Sequence, residues 1–513
     1  MKGPSWRCTA LLGLLVHATN AQYDPHCSGK TAIVHLFEWT WTSIAAECER
    51  FLGPVGYCGV QVSPPNEHVV LAENQFPWWQ RYQPVSYNLD SRSGSRAQFK
   101  DMVERCNRVG VRVYVDAVVN HMAGMERQGS GSGGSSFNTM DGNHDFPAVP
   151  YSDKDFTPAD LCPSGCGCVD NYADPNIVRN CYLVGLSDLY GATDYVRDRV
   201  AEYFNDLIEL GVAGFRVDAA KHMWADDSAG IQSRLHNLPT WHGFKEGSTA
   251  FFYHEVIDRN DGAVTVDEYF DLGWVTEFRY SQKIGWAANG DWGQFGGLYD
   301  PGWGMGPTDR AFVFADNHDN QRGHGGGGDV VTHKTPAEYT AAISFMLAFD
   351  YGFTRVMSSY YFGEDTDQGP PNLGDENFTT AEVEIKEDGS CGGGWVCEHR
   401  WNAISKMVSF RTAVSGTPSD GFWSEGDSVG IARVGKGYFA MSKASLTKSV
   451  QTQMPGGQYT NIIDGSSVDV AQDGSATISI NNPEGIFAIC VGCGGTSPPT
   501  PPTPRPTNQP TQH

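Results

Sequence analysis

The stretch Gly211-Val-Ala-Gly-Phe-Arg-Val-Asp-Ala-Ala-Lys-His-Met-Trp224 has the character of a β-strand that ends in a polar site. A glycine-rich entry leads into a β-branched run from Phe215 to Val217, and Asp218 follows it directly. Arg216 and Asp218 are two residues apart, so their side chains point to the same side of a strand. An isolated pair of this kind is most often a structural ion pair, and the surrounding sequence has to decide whether it marks a functional site.

Short β-branched or aromatic runs of the same kind recur along the chain, and helical patterns lie between most of them. The eight runs predicted to be strands are Ala32–Phe37, Gly59–Ser63, Val111–Val119, Gly214–Val217, Phe251–Tyr253, Trp274–Glu277, Ala311–Ala315 and Phe353–Met357. The stretches predicted to be helices are Ser43–Phe51, Ala97–Val109, Asp194–Leu210, Pro336–Phe349 and Trp401–Ala413. Eight strands alternating with helices predict an α/β fold, a (β/α)8 TIM barrel. The alternative, a doubly wound open sheet, usually has a Gly-rich phosphate loop after its first strand, and this sequence has none.

Other segments do not follow the barrel pattern. About 70 residues rich in Gly, Asp and Cys separate His121 from the helix near Asp194, which is too long for a structureless loop and predicts an inserted subdomain after strand 3. Short alternating runs after residue 416 predict a C-terminal antiparallel β-sandwich, and the Pro/Thr-rich end predicts a disordered tail. The predicted organisation is a signal peptide at 1–21, the barrel at 22–121 and 188–416, subdomain B at 122–187, the β domain at 417–494 and the tail at 495–513.

The composition narrows the class of partner and the compartment. A formal net charge of −24 argues against nucleic acid and anionic membranes as partners. The 14 tryptophans point weakly to carbohydrate, because indole faces stack on sugar rings. Met1 to Ala21 has the basic start, short apolar run and small-residue exit of a secretory signal peptide, so we expect a secreted, extracellular protein. No later segment reaches the roughly 18 apolar residues of a membrane-spanning helix.

The cysteines fit an oxidising compartment. Loss of Cys8 with the signal peptide leaves twelve of the 13 cysteines, an even number that favours disulfides. The close spacing of Cys162, Cys166 and Cys168 allows a zinc site as a minor alternative.

Polar side chains gather at the predicted strand ends, which meet on one face of a barrel. The segments are Asp116-Ala-Val-Val-Asn-His121, Arg216-Val-Asp218, His254-Glu255, Asp316-Asn-His-Asp319 and Arg355. Three carboxylates at such positions suit glycosidic cleavage, in which one attacks the anomeric carbon and another protonates the leaving oxygen. Metal-assisted hydrolysis is the rival interpretation, but the two histidines lie on different strands and no H-E-x-x-H pair exists.

These segments resemble, in the same order, the signature regions of the α-amylase family, and the similarity is greatest to its secreted, chloride-dependent animal branch. Further matching segments are His35-Leu-Phe-Glu-Trp39, Gly59-Val-Gln-Val-Ser-Pro64, Trp78-Trp79, Arg81-Tyr-Gln-Pro84, Phe353-Thr-Arg-Val-Met-Ser358 and Trp395-Val-Cys-Glu-His-Arg-Trp401. The resemblance implies a monomer that hydrolyses internal α-1,4-glucosidic bonds of starch, glycogen and malto-oligosaccharides with retention, through a covalent glycosyl-enzyme. A glucosyl-transferring or isomerising relative and a non-catalytic carbohydrate-binding relative are the alternatives.

The resemblance also assigns roles residue by residue. It implies Asp218 as nucleophile, Glu255 as general acid/base and Asp319 as transition-state stabiliser. The substrate-binding residues that it implies are Trp78, Trp79, Tyr82, His121, Tyr151, Lys221, His318 and His324. One calcium ion would be bound by Asn120, Asp188 and the main-chain carbonyls of Arg179 and His222. One chloride ion would be bound by Arg216, Asn317 and Arg355. Two guanidiniums beside Glu255 would favour its charged form, and a bound anion would offset this effect.

The implied disulfides are Cys48–Cys106, Cys162–Cys181 and Cys391–Cys397. Spacing alone leaves open the pairing of Cys27, Cys58, Cys166, Cys168, Cys490 and Cys493, with Cys27–Cys58 as one candidate bridge.

The sequence also departs from the family pattern. Asp90 and Thr460 stand where half-cystines are expected, and His254 stands where a glutamine is more familiar, so we expect an altered pH profile. The glycine-rich loop at 323–328 is a candidate for closing over substrate. Asn377 begins a glycosylation sequon.

Overall fold

The computed structural model describes residues 23–325, 329–376 and 378–493. The predicted signal peptide, the predicted tail, the Asn377 sequon and residues 326–328 of the glycine-rich loop lie outside the described residues.

Eight parallel strands form a closed barrel, which confirms the predicted fold class. In chain order they are β1 (Ala32–Leu36), β2 (Gly59–Val62), β3 (Arg112–Ala117), β4 (Gly214–Val217), β5 (Phe251–His254), β6 (Trp274–Thr276), β7 (Ala311–Val313) and β8 (Phe353–Ser358). Neighbours in this order pair with each other, and β8 closes on β1 with Ile33 opposite Arg355. On β3 and β4, Asp116 lies opposite Arg216, so their side chains meet inside the barrel.

Helices pack around the barrel and cover its outer face. Their bounds are Trp41–Glu47, Arg96–Arg108, Asp194–Glu209, Ala225–Gln232, Phe278–Asn289, Pro336–Ala348 and Asn402–Ala413. The first continues through a π-helical segment, Cys48–Leu52, into the short helix Gly53–Val55. The helix from Arg96 begins at a capping box in which Ser95 and Gln98 bond each other's backbone amides, and that from Asp194 begins at the hydroxyl of Thr193.

The helix Phe278–Asn289 was not predicted, because its aromatic residues and glycine are typical of strands and loops. Its Gly285 is required by packing: a Cβ there would lie 1.8 Å from the carbonyl oxygen of Asp329.

The chain between β3 and β4 leaves the barrel and forms the insertion. Two antiparallel pairs organise it, His121–Gly124 with Leu186–Asp188 and Gln128–Ser130 with Ser136–Asn138. A short helix, Pro175–Asn180, lies beside the barrel. The first pair begins at the carboxyl end of β3 and therefore holds the insertion against the face where the polar strand ends meet.

The C-terminal region folds into two four-stranded antiparallel sheets, as predicted for a sandwich. Its strands are β9 (Ser419–Glu425), β10 (Ser428–Arg433), β11 (Gly437–Ser442), β12 (Leu446–Gln451), β13 (Gly457–Thr460), β14 (Ser467–Val470), β15 (Ser475–Ile480) and β16 (Ile486–Cys490). The sheet orders are β9-β10-β11-β16 and β12-β15-β14-β13. Alternate residues of β15 are buried, as expected for a strand with one face on a core.

Six disulfides are present among the described residues. They join Cys27–Cys58, Cys48–Cys106, Cys162–Cys181, Cys166–Cys168, Cys391–Cys397 and Cys490–Cys493. The cysteines considered for zinc are therefore consumed by two disulfides, and the zinc interpretation is wrong. No helix in the described ranges is long and apolar enough to cross a membrane.

Candidate active site

A cleft of about 830 Å³ lies at the carboxyl ends of the barrel strands. The structure brings together on its walls most of the residues predicted to act there. They are Trp78, Trp79, Tyr82, His121, Asp218, Lys221, His222, Glu255, Asp319 and His324. The cleft thus lies where the barrel face meets the insertion.

The guanidinium of Arg216 is buried beneath the cleft, among the carboxyl groups. Its Nη1 donates to Asp116 and, at 2.8 Å, to Oδ1 of Asp218, while its Nη2 donates to Glu255. The second oxygen of Glu255 accepts a hydrogen bond of 2.9 Å from the backbone amide of Ala219. One side chain of β4 therefore holds the carboxyl groups that follow β4 and β5 next to each other. The ion-pair interpretation of Arg216 and Asp218 is correct as geometry, and the pair is part of a larger cluster.

Burial makes the carboxyl groups of this cluster hard to ionise. It raises the pKa of Asp116 and raises that of Asp218 well above its usual range, against the opposing charge of Arg216. Burial and the neighbouring charge of Glu255 raise the pKa of Asp319 to about 7. The single positive charge of Arg216 therefore cannot compensate all of these carboxyl groups if every one of them is ionised.

Two histidines support the cleft in their neutral forms. Burial lowers the pKa of His121 to about 4, and its Nε2 donates to the carbonyl of Tyr82 at 2.9 Å. Burial and the charge of Arg216 lower the pKa of His318 well below its usual range. The structure places His318 one layer behind the cleft wall, with its ring stacked on Tyr82 and its Nε2 3.3 Å from Oδ2 of Asp319.

Tyr151 is a correction to the predicted substrate-binding set. It is only 1% exposed and packs against Phe156 and Tyr195 inside the insertion, so it does not line the cleft. Tyr172 lines the cleft instead, is 43% exposed and lies 5.2 Å below the Nζ of Lys221. The path of the inserted chain decides which tyrosine faces the cleft, and the sequence pattern does not reveal that path.

His254 is a second correction. Alternation along β5 points Tyr253 and Glu255 to the barrel interior and His254 outward. There its Nε2 accepts a hydrogen bond from the Gln232 amide, and burial lowers its pKa to about 4. A neutral ring on the outer face gives no reason to expect the altered pH profile of activity.

The residues predicted to bind calcium come together at the base of the insertion. Asn120, Arg179 and His222 line a cavity of about 200 Å³. The Asp188 carboxylate lies beside it, bonded to Thr157 at 2.7 Å and to the Asn120 amide at 3.4 Å, and burial raises its pKa well above the usual range. No cluster of three or more His, Cys, Asp or Glu suited to a metal ion occurs in the described chain. A set of one carboxylate with amide and carbonyl oxygens is nevertheless the donor chemistry that Ca²⁺ accepts, so these residues fit the ion.

The residues predicted to bind chloride also fit an anion. Arg355 is 1% exposed, its Nη1 donates to Gln61 at 2.8 Å, and its Nε has no partner in the described structure. Burial and the charge of Arg216 lower the pKa of Arg355, because like charges in a buried space disfavour each other. The Asn317 carbonyl oxygen accepts from the amides of Asp319 and Asn320, so its NH₂ group is left to donate elsewhere.

Comparison with known proteins adds independent findings. Residues 78–283 match the family model described as Alpha amylase, catalytic domain. The chain is 48% identical over 496 residues to the pancreatic alpha-amylase of Sus scrofa, covering 90% of this chain and 94% of that protein. Alpha-amylase 1B of Homo sapiens is also 48% identical, over 490 residues, with 90% and 94% coverage.

Among solved structures, the alpha-amylase I of Eisenia fetida is similar with a TM-score of 0.84 and 42% identity, over 90% of this chain and 97% of that one. A mutant of the same protein in complex with maltohexaose matches equally well. A bacterial gamma-CGTase, with 16% identity and a TM-score of 0.63, shares the fold.

Proposed function

This chain belongs to the α-amylase family, and from that premise we propose that it hydrolyses internal α-1,4-glucosidic bonds of starch, glycogen and malto-oligosaccharides with retention of configuration. The observation that carries the proposal is the guanidinium of Arg216, which holds Asp218 and Glu255 side by side in the cleft. Such a bridge is compatible with the about 5–5.5 Å between carboxyl groups that a retaining glycosidase requires.

The reaction proceeds in two displacements. Oδ of Asp218 attacks the anomeric carbon, while Glu255 donates its proton to the glycosidic oxygen and the C–O bond breaks. The products are a glycosyl ester on Asp218 and a free sugar chain. Glu255 then takes a proton from water, which attacks the anomeric carbon, breaks the ester and restores both carboxyl groups to their starting states. Asp319 binds sugar hydroxyls while positive charge develops on the ring.

The walls of the cleft hold the substrate by stacking and hydrogen bonding. Trp78, Trp79, Tyr82 and Tyr172 offer aromatic faces and edges, and stacking on these suits a neutral polysaccharide. Neutral His121 on the cleft wall donates or accepts hydrogen bonds without adding charge next to the developing oxocarbenium ion, and His318 supports Tyr82 and Asp319 from behind the wall. The net charge of −24 does not hinder binding, because the substrate is uncharged.

Two ions complete the proposed site. Asn120, Asp188 and the carbonyls of Arg179 and His222 would hold calcium, which would join the insertion to the barrel near the strand end that carries Asp218. Arg216, Asn317 and Arg355 would hold chloride, which would supply negative charge near the two guanidiniums. That negative charge would weaken the attraction between the Arg216 guanidinium and the Glu255 carboxylate, so that Glu255 could still act as a proton donor.

The six disulfides support an extracellular protein, the resemblance supports a monomer that acts on carbohydrate, and the net charge of −24 argues against nucleic acid and anionic membranes as partners.

A starch digestion tests this proposal. Asp218→Asn should lower the release of reducing ends by ~10⁴-fold or more, because the nucleophile is lost while the fold is kept. Asp198→Asn is the matched control, since Asp198 is an exposed carboxylate paired with Arg234 outside the cleft. The wild type should also lose several-fold activity in gluconate buffer of equal ionic strength without chloride.

Equal activity of Asp218→Asn and wild type would overturn the mechanism. Equal rates with and without chloride would overturn the anion site alone. Products that retain their total number of glycosidic bonds would point to transfer in place of hydrolysis.

A further inference from the structure

A buried arginine behind the cleft, Arg322, has no counter-ion. It is 3% exposed and forms no ion pair with a carboxylate in the described parts of the chain. Its Nε and Nη2 have no hydrogen-bond partner there. Buried cations are costly unless something compensates them, so the surroundings of this guanidinium require an explanation.

Aromatic rings enclose the guanidinium. Its central carbon lies 4.2 Å from the ring centre of Phe362, 4.9 Å from Tyr360, 5.0 Å from Phe37 and 5.7 Å from Trp78. Ring faces attract cations, and the attraction grows when water is excluded. The aromatic cage therefore stabilises the guanidinium but leaves its positive charge in place, whereas a carboxylate would neutralise that charge. One of its rings, Trp78, is also a wall of the substrate cleft.

The same residue closes the turn that carries Asp319. The Arg322 backbone amide donates to the carbonyl of Asp319 at 2.9 Å, and its Nη1 donates to the carbonyl of His318 at 2.9 Å. His318 in turn contacts the Trp78 ring at 5.4 Å. The guanidinium thus connects the Trp78 wall to the backbone of Asp319 through the layer just behind the cleft.

We propose that Arg322 is a positioning residue for the hydrolytic reaction, whose caged guanidinium fixes the His318–Asp319 turn against Trp78 and places a positive charge behind the Asp319 carboxylate. The proposal rests on the proposed function. Arg322 touches neither substrate nor a reacting atom in it, and acts through Asp319 and Trp78.

The charged and titratable groups around Asp319 and Arg322 determine how the loss of the Arg322 charge changes the pKa of Asp319. Asp319 faces Glu255, Arg216, Asp116, His318 and Arg322. Burial and Glu255 hold its pKa high, and Arg216 and Arg322 oppose them. The positive charge of Arg322 also acts to lower the pKa of the other groups around it, which are His35, His318, His333, Lys334, Tyr360 and Glu398. Removal of the Arg322 charge therefore favours the protonated form of Asp319.

The experiment compares wild type, Arg322→Met and Arg322→Lys by kcat and KM on a malto-oligosaccharide of fixed length, from pH 4 to 9. Arg322→Met should lower kcat by ~10-fold or more, because a catalytic carboxylate is displaced. Its acid limb should move up by about one pH unit, because a buried cation is lost. Arg322→Lys should keep the acid limb of wild type, because the cage still holds a cation.

Arg112→Met is the matched structural control. Arg112 also lies over an aromatic ring, 4.1 Å from that of Phe244, and donates to backbone carbonyls, but at the amino end of β3. This variant should lower the Tm without moving the pH profile. If Arg322→Met does not fold, Arg322→Gln takes its place, since the amide is neutral and polar.

An unchanged acid limb in the neutral variant, with only a loss of Tm like that of Arg112→Met, overturns the proposal. An equal shift in Arg322→Lys overturns it as well, because charge would then not matter. A wild type that does not hydrolyse the oligosaccharide would instead refute the proposed function.

Discussion

Burial sets the protonation of the histidines around the barrel, and His254 shows this effect outside the cleft. Its ring is 0% exposed and lies between Phe252 and Tyr269, with a hydrogen bond from Gln232. The folded state keeps the ring neutral, so its pKa is about 4, against 6.5 for the free side chain. Between pH 4 and pH 6.5 the His254 ring therefore binds a proton more readily in the unfolded chain than in the folded one. The contribution of His254 to stability is complete above pH 6.5 and is lost as the pH falls towards 4.

His254→Gln should make the protein less sensitive to acid. Between pH 7.5 and pH 5 the wild type should lose about 2 kcal/mol more free energy of unfolding than the variant. The reason is that the His254 ring takes up a proton in the unfolded wild type and stays neutral in the folded protein, whereas a glutamine does not titrate. Urea unfolding at both pH values measures this difference. The pH profile of hydrolysis should stay unchanged. A parallel loss in both proteins would contradict the assignment of this pKa, and a shifted activity profile would contradict the outward orientation.

At this scale the sequence predicted the residues at strand ends but not which tyrosine of the insertion faces the cleft. Asp218 and Glu255 directly follow strands whose alternation and ends are visible in the sequence. Tyr172 could not be distinguished from Tyr151, because both lie in irregular chain whose path depends on disulfides and long-range packing. Arg322 gave no signal either, since its aromatic cage comes from segments far apart in the sequence.

Among the elements, the insertion depends most on a few polar contacts. Glu67, in the loop after β2, accepts from the backbone amides of Gly133 and Ser135 and from the hydroxyl of Ser86. At its base, Asp188 bonds to Thr157 and Asn120. The second set contains the proposed calcium donors. The ion should therefore act on stability as well as on activity.

Calcium should raise the Tm of the wild type by about 5 °C over the chelated protein, because it binds only the folded state. Asp188→Asn should lose most of this response, since it removes the one charged donor. Asp153→Asn, which changes an exposed carboxylate of the same insertion, should keep it. Differential scanning calorimetry with calcium and with a chelator gives both values. A full response in Asp188→Asn would place the ion elsewhere.

The elements themselves were largely predictable where the pattern is periodic. All eight barrel strands lie at the predicted places, because each is a short buried run bounded by turn residues. The helix Phe278–Asn289 escaped prediction because Gly285 and its aromatic residues are chosen for tight packing against the barrel. Strands such as β9 and β13 are largely exposed and lack the alternation that marks β15.

In the whole molecule, a buried arginine helps the apolar contacts to join the barrel to the β-sandwich. Arg433 of β10 is 3% exposed and donates to the carbonyls of Ala348, Val414 and Thr417. Ala348 is the last residue of a barrel helix, and the other two carbonyls belong to the linker. One side chain therefore satisfies backbone groups from both sides of the junction.

Arg433→Met should lower the free energy of unfolding by ~3 kcal/mol, because two buried carbonyls and one partly buried carbonyl lose their donor. Lys436→Met is the control, since the exposed Lys436 side chain donates to the carbonyl of Ser415 at the surface and its loss should change stability by less than about 0.5 kcal/mol. Tryptophan fluorescence in a urea titration measures both. Equal midpoints for Arg433→Met and Lys436→Met would show that the junction does not depend on this arginine.

The contact between one guanidinium and three carboxyl groups has a consequence for where the reaction obtains its acid. Arg216 carries one positive charge, and full ionisation of Asp116, Asp218 and Glu255 would leave two negative charges uncompensated in a buried space. Burial raises the pKa of Asp116 and of Asp218, so the resting cluster retains a proton. That proton is resident before substrate arrives and is replaced by the water that ends each turnover. The water molecule that hydrolyses the glycosyl-enzyme therefore also supplies the proton that the next turnover donates.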